Sequence, residues 1–361
     1  MGDHPILFLP GPTEVEAELR TILARPLIGH RSAEFTALVQ TVCGQLKQLY
    51  RTQAHAAFET APATALMEAA FRNLVRPGGR TLHLVCGAFS DRWAKIAADC
   101  GRRPETLAVP WGRAHTPQQL AEQLAKQLPE GPPYEAVCIT HNETSTGVLE
   151  PLRELAAVAR ERAPDALVLA DCVSALGGAP LEFDAFGLDL AFAGTQKCLA
   201  LPPGLVTYAL SRRALERART VEGRGFLFDF VRAVPDTEAG KTLATPCVPL
   251  VFALQRQLER VLAEGLPQRW TRHAAMRQAT MQWAQQQRIE PFVADATARS
   301  PTVSCLSASG RDVKALAETA TRAGFKIDQG YGDLKGKTFR IGHMGDHTVA
   351  RLQELLAALA R

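Results

Sequence analysis

Near the middle of the chain, Asp171 and Lys197 are of types and at a spacing that could hold the two ends of one aromatic cofactor. They fall in the stretch ALVLADCVSALGGAPLEFDAFGLDLAFAGTQKCLALPPG, residues 166–204, where one apolar run ends at the carboxylate and the next ends just before the amine. Short apolar runs of this kind read as buried strands, so both groups arrive at the same edge of a sheet. A pyridine ring used as an electron sink needs an acid at its nitrogen, and its aldehyde needs a lysine to hold it covalently. The pair therefore points to pyridoxal phosphate. Taken singly, each has a plainer role, Asp171 as a turn residue and Lys197 as a solvated lysine.

Polar residues that packing alone does not require also stand at other strand ends. Thr60, Pro62 and Thr64 open an apolar helix, HNETSTG follows the strand YEAVCIT, and GTQK follows DLAF. A helix N-terminus with small hydroxyl residues is an anion site, because its first N–H groups are unpaired and its dipole favours negative charge. As a plain N-cap, Thr60 would need no ligand.

The elements that must position these groups alternate along the chain. Apolar residues at helical spacing (Phe35, Leu38, Val39, Val42, Leu46) predict a helix from Ser32 to about Arg51. There follow a helix after Thr60, the strand TLHLVC, a helix after Ser90, the helix PQQLAEQLAKQL, YEAVCIT, the helix PLRELAAVARERA, ALVLADC, DLAFAG and LVTYAL. Near-continuous apolar strands between helices indicate a parallel sheet covered on both faces, with ligands beyond the carboxyl ends of its strands. Val221–Pro249 reads as irregular, and two long helices then span 249–265 and 267–288. TVSCLSA, DVKALAETATRAG, KIDQG, KTFRIGH and HTVARLQELLAALA make a smaller α/β unit.

Composition excludes several classes. The 361 residues are 46% hydrophobic and 22% charged, with a net charge of only +4, so a packed core is affordable and no concentrated basic patch invites nucleic acid. The eight cysteines lie mostly inside apolar runs without CxxC spacing, as reduced core residues do, and no metal-ligand spacing is seen. No run approaches a membrane span and the N-terminus lacks signal-peptide character, so a soluble cytoplasmic protein without membrane partners is expected.

The run ADCVSALGG…GTQKCLALPPG, with THNETSTGVLEPL, CGAFSDRW, PGPTEV and GHRSAEF, resembles the class V pyridoxal-phosphate aminotransferases. The branch is that of the alanine–glyoxylate, serine–pyruvate and phosphoserine enzymes, and the likeness runs from Leu9 to His343. The resemblance implies a fold-type I α/β architecture, with a large domain built on a mostly parallel seven-stranded sheet and a smaller C-terminal α/β domain. An arm over 1–20, a large domain over 21–249 and a small domain over 250–361 are expected. A homodimer with active sites at the interface is implied as well.

Carried over by motif, the resemblance makes Lys197 the Schiff-base lysine and Asp171 the partner of the pyridine nitrogen. Phe89 in CGAF would stack on the ring, Val173 would pack on its other face, and Thr144 in NETSTG would bond its hydroxyl. Gln196, Ala63 and Thr64 would hold the phosphate, joined across the dimer by Thr245 in TPCVP. Ordinary core packing is the plainer role of Phe89 and Val173. One departure stands out: relatives carry a glycine-rich turn where this chain has Thr60-Ala61-Pro62-Ala63-Thr64, and proline donates no backbone hydrogen bond.

For the substrate, Arg340 in KTFRIGH matches the residue that binds the α-carboxylate, a task suited to a planar, permanently charged guanidinium. Gly11, His30 and Arg31 match substrate-side positions, although GHRS occurs in enzymes for both phosphorylated and unphosphorylated substrates. The turn arginine of phosphoserine enzymes has no counterpart in APAT. The expectation is transfer from a small amino acid of the alanine or serine type to a 2-oxo acid of the glyoxylate or pyruvate type. Phosphoserine transamination is the alternative, followed by lyase or desulfurase chemistry and by a non-enzymatic cofactor-binding role.

Overall fold

A computed structural model of the chain describes residues 4–127 and 132–360. Met1–Asp3 of the expected arm, Leu128 at the end of the helix PQQLAEQLAKQL, and Arg361 lie outside the described residues. The chain begins with β1 (Ile6–Leu7), α1 (Ala17–Leu23), α2 (Ala33–Tyr50), β2 (His55–Glu59), α3 (Ala63–Leu74), β3 (Arg80–Val85), α4 (Ala88–Asp99), β4 (Arg103–Ala108) and α5 (Pro117–Gln127). It continues with β5 (Tyr134–Thr140), β6 (Asn142–Glu143), β7 (Val148–Leu149), α6 (Leu152–Arg162), β8 (Leu167–Asp171), β9 (Leu190–Gly194), β10 (Val206–Leu210), α7 (Arg212–Arg219) and α8 (Phe230–Glu238). The last elements are α9 (Val248–Glu264), α10 (Leu266–Gln286), β11 (Val303–Ser307), α11 (Val313–Arg322), β12 (Phe325–Lys326), β13 (Thr338–Gly342) and α12 (Val349–Leu359).

The apolar strands assemble into one seven-stranded sheet in the order β2-β10-β9-β8-β5-β3-β4, in which only β10 runs against its neighbours. The mostly parallel sheet is thus as expected, but its two edge strands carry no apolar run of the kind that marks the interior ones. At the edge, β4 reads RPETLA and alternates between half-buried and exposed residues, while β2 is the short HAAFE. An edge strand is buried on fewer sides, so its sequence is freer to be polar and to hold a proline. The remaining strands are almost wholly buried, which is why they read as continuous apolar runs.

Helices cover both faces of this sheet. In α2 the Ser32 hydroxyl accepts from the Phe35 N–H at 3.2 Å, and Arg51 ends the helix in the left-handed region at φ 54°. Its stripe from Phe35 to Tyr50 packs with α9, whose Leu250, Val251, Leu254 and Leu258 belong to the same core as the sheet. The boundary expected near Leu250 falls within this helix. Along α10 the chain passes from that core, at Leu266, to a second one containing Met276 and Trp283.

The second core also holds Phe8, Leu306, Phe325, Phe339, Ile341, Leu352 and Leu355. Here β11 pairs antiparallel with β13, and β1 pairs parallel with β12, so the N-terminal arm is built into the smaller sheet. Within the segment expected to be irregular, α8 forms where the Asp229 carboxylate accepts from the Val231 N–H at 3.0 Å. All eight cysteines are free thiols. Among the described residues no helix is long and apolar enough to cross a membrane.

Candidate active site

Parallel strands deliver their carboxyl ends to one edge, and there β2, β3, β5, β8 and β9 each hand on to a loop that carries polar groups. These loops enclose a cavity of about 150 Å³. Ala63, Thr64, Phe89, Thr144, Asp171, Val173, Gln196 and Lys197 all line it, although they span more than a third of the chain. Pro62, Met67, Arg92, Asn142 and Ser174 complete the wall.

Asp171 ends β8 and is buried; its Oδ1 accepts from the Val173 N–H at 2.8 Å. Burial pushes its carboxyl up to about 7, with the nearby Glu143 adding to the rise and the Val173 N–H and Lys197 opposing it. Lys197 follows β9 and is also buried, and burial, then the Arg340 charge, brings its amine down to about 8. Its Nζ donates to the Pro10 carbonyl and lies 6.0 Å from the centroid of the Phe89 ring. Gly11 makes this approach possible: at φ 114° it has a glycine-only backbone, and a Cβ there would sit 2.6 Å from Lys197 Nζ.

The ring walls are held from behind. Glu143, fully buried, accepts from the N–H groups of Phe89 and Ser90 at 3.1 and 2.9 Å and from the hydroxyls of Ser90 and Ser145 at 2.9 and 2.6 Å. A carboxylate thus closes the N-terminus of α4 and fixes Phe89. Thr144 and Ser174 exchange a hydroxyl hydrogen bond at 2.7 Å, and the Asn142 amide donates to Ser174 Oγ at 2.8 Å. Arg340, central in β13, donates from Nε to Asp328 at 2.7 Å and from Nη1 to the Thr144 carbonyl at 2.8 Å. It reaches from the second sheet to the rim of the first.

Asn142, Ser174 and Arg92 were not singled out from the sequence, though each sits inside a motif that was: NETSTG, ADCVS and CGAFSDRW. Tyr331, which stacks on Phe89 at 5.2 Å, lies in a segment with no such signal. His30, Arg31 and Thr245 do not line this cavity; Arg31 and Thr245 are exposed and His30 is half-buried. The Thr60 hydroxyl accepts from the Cys247 N–H at 2.9 Å, which ties the Thr245 segment beside the 60–64 turn. Elsewhere Cys86, His115 and Glu150 form a buried cluster with donor atoms within 4.8 Å of one another. His115 Nδ1 meets Glu150 at 2.7 Å and Nε2 meets the Leu107 carbonyl at 2.8 Å, so both ring nitrogens are already engaged by protein.

The cavity suits a phosphorylated pyridine aldehyde. It offers a buried acid, a buried amine, and the N-terminus of α3, where Pro62 is the N-cap and has no side-chain cap. The proline therefore stands outside the first turn, and the N–H groups of Ala63 and Thr64 are intact. Asn142 Oδ1, on the wall, is a buried acceptor without a hydrogen-bond partner.

The chain matches the aminotransferase class-V family over residues 18–333. It is 35% identical over 359 residues to an uncharacterized aminotransferase of Methanocaldococcus jannaschii, covering 98% of this chain and 91% of that protein. It is 30% identical to an L-aspartate–glyoxylate aminotransferase of Paracoccus denitrificans, over 97% of this chain and 88% of the other. Among solved structures, the alanine–glyoxylate aminotransferase of Nostoc sp. superposes with a TM-score of 0.92 at 27% identity, covering 99% and 95% of the two chains. This chain belongs to the class-V aminotransferases, enzymes of fold type I that depend on pyridoxal phosphate.

Proposed function

We propose that this transaminase moves the amino group of a small amino acid, of the alanine or serine type, to a 2-oxo acid of the glyoxylate or pyruvate type. Glyoxylate is the acceptor in the names of two of the relatives above. One observation carries the assignment of the centre: a buried amine brought down to about 8 and a buried carboxyl pushed up to about 7 face the same small cavity.

Lys197 would hold the cofactor at its aldehyde, and Asp171 would hold a proton on the pyridine nitrogen. When bound, pyridoxal phosphate supplies an electron sink for the pair left on Cα after its proton departs. Lys197 Nζ, with its depressed basicity, takes the Cα proton and returns it to the neighbouring carbon as general acid and base. Phe89 and Val173 fix the ring faces, Thr144 meets the ring hydroxyl, and Ala63, Thr64 and Gln196 hold the phosphate. Arg340 binds the substrate α-carboxylate, and Gly11 leaves room above Lys197.

Thr245, His30 and Arg31 do not line the cavity of their own chain, which supports a homodimer in which they serve the partner's site. Eight free thiols support a reducing, cytoplasmic setting. Desulfurase chemistry needs an accessible thiolate, whereas Cys198 beside Lys197 is buried and pushed up to about 11, first by that burial.

The test is a half-reaction screen in which the yellow holoprotein is mixed with alanine, serine, phosphoserine, glutamate and 2-aminoethylphosphonate. Loss of the visible band is expected with alanine or serine. Conversion by phosphoserine alone would transfer the assignment to that substrate.

A further inference from the structure

We infer that Arg92 gives this site a second carboxylate-binding group, so that the enzyme also takes an amino donor with a side-chain carboxylate. The inference rests on the transaminase site proposed above and concerns only which donors it admits.

Arg92 stands three residues after Phe89 on α4, on the same helix face, and lines the cavity with Lys197. Its guanidinium carbon lies 5.0 Å from the Phe89 ring centroid, and its Nη2 donates to the Tyr331 hydroxyl at 2.6 Å. Among the described residues no carboxylate pairs with it. That sets it apart from Arg340, which Asp328 partly neutralises at 2.7 Å. The Phe89 and Tyr331 rings are stacked at 5.2 Å and 19°, and the Arg340 guanidinium carbon lies 5.4 Å from the Tyr331 centroid. Both guanidiniums therefore border one aromatic wall, Arg92 at Phe89 and Arg340 at Tyr331.

Charge balance gives this placement its consequence. The one acid on the cavity wall, Asp171, is committed to the ring nitrogen, so no protein carboxylate there is left for Arg92. A half-buried guanidinium without a counter-charge is poorly solvated and gains most from an incoming anion. With the α-carboxylate at Arg340, the second cation suits a second carboxylate. A planar fork held by Tyr331 favours a carboxylate over a neutral amide of the same shape, because the amide brings one acceptor and no charge.

The experiment compares aspartate with asparagine in the half-reaction of the holoprotein, and succinate with succinamate in equilibrium titration, for wild type, Arg92→Gln, Arg92→Lys and Tyr331→Phe. The expected result is at least a tenfold preference for the dicarboxylate in both assays. Arg92→Gln should bring both ratios to near one, Arg92→Lys should keep part of each, and Tyr331→Phe should lower both. Equal use of aspartate and asparagine by the wild type would overturn the inference, as would ratios unmoved in Arg92→Gln. It would likewise be overturned if Arg92→Gln weakened binding of pyridoxal phosphate itself while leaving the ratios intact. Alanine and serine serve as controls: if they too fail to convert the wild type, the transaminase assignment fails, whereas failure of aspartate alone removes only the role of Arg92.

Discussion

The two ionisable groups at the centre pull the protein's pH response in opposite directions. The Asp171 carboxyl, moved from 3.8 up to about 7 first by burial, keeps its proton in the folded cofactor-free protein at pH values where the unfolded chain has lost it. Stability from this group is present at low pH and is lost as pH rises from about 4 to about 7. The Lys197 amine, moved from 10.5 down to about 8, does the reverse: the unfolded chain holds the extra proton, so stability is regained as pH rises from about 8 to about 10.5. The contribution of this pair to the stability of the cofactor-free protein, measured by melting temperature against pH, is therefore least near pH 7–8. Asp171→Asn should flatten the acid limb and Lys197→Met the alkaline one; a profile indifferent to both substitutions would contradict the burial of this pair. Both residues were legible in the sequence because Asp171 ends one apolar strand and Lys197 closely follows the next. Tyr331 was not, because its contact with Phe89 joins positions 242 apart in sequence, at which no periodicity operates.

At the level of elements, the site depends on how helix and strand ends are tied together. Glu143 fastens the first turn of α4 to the loop after β5, so that Phe89 is held by backbone rather than by its side chain alone. Glu143→Ala would leave the N–H groups of Phe89, Ser90 and Ser145 without this acceptor. A loss of roughly 3 kcal/mol or more is expected, at about 1–3 kcal/mol for each stranded group, measured by urea unfolding of the holoprotein. Glu143→Gln, which keeps an acceptor, should lose less, and equal losses would argue against this account of α4. Gly342 plays a similar part at the end of β13, since its N–H donates to the Phe8 carbonyl at 2.9 Å and a Cβ there would collide with Leu9. The interior strands of the sheet were readable as apolar runs, whereas β2 and β4 were hidden by their edge positions and α8 by its surroundings in an irregular segment. Pro62 looked costly in the sequence, and the structure gives the reason it is tolerated: it caps α3 from outside the first turn.

On the scale of the whole molecule, two cores meet along α10; Arg340 lies on β13 between Phe339 and Ile341 of the smaller one, while Asp171 and Lys197 stand at the ends of strands of the large sheet. The N-terminal arm takes part in both regions, since β1 joins the smaller sheet and Pro10 reaches Lys197. What a single chain leaves unaccounted for is Thr245, exposed yet beside the 60–64 turn. Sedimentation should find a species of two 39.1 kDa chains. Thr245→Ala should weaken cofactor binding by roughly threefold to tenfold, the scale of one hydrogen bond. A monomer with full cofactor affinity would contradict the dimeric site. Motif resemblance could mark Thr245, His30 and Arg31, but their absence from the cavity wall depends on tertiary placement that the sequence does not encode locally.

The central claim, that Lys197 is the covalent anchor of the cofactor, is tested most directly by borohydride reduction of the holoprotein followed by peptide mass mapping. The reduced cofactor should be found on the peptide containing Lys197, and Lys197→Ala should yield a colourless protein without transaminase activity. Attachment at another lysine, or a yellow and active Lys197→Ala protein, would contradict it.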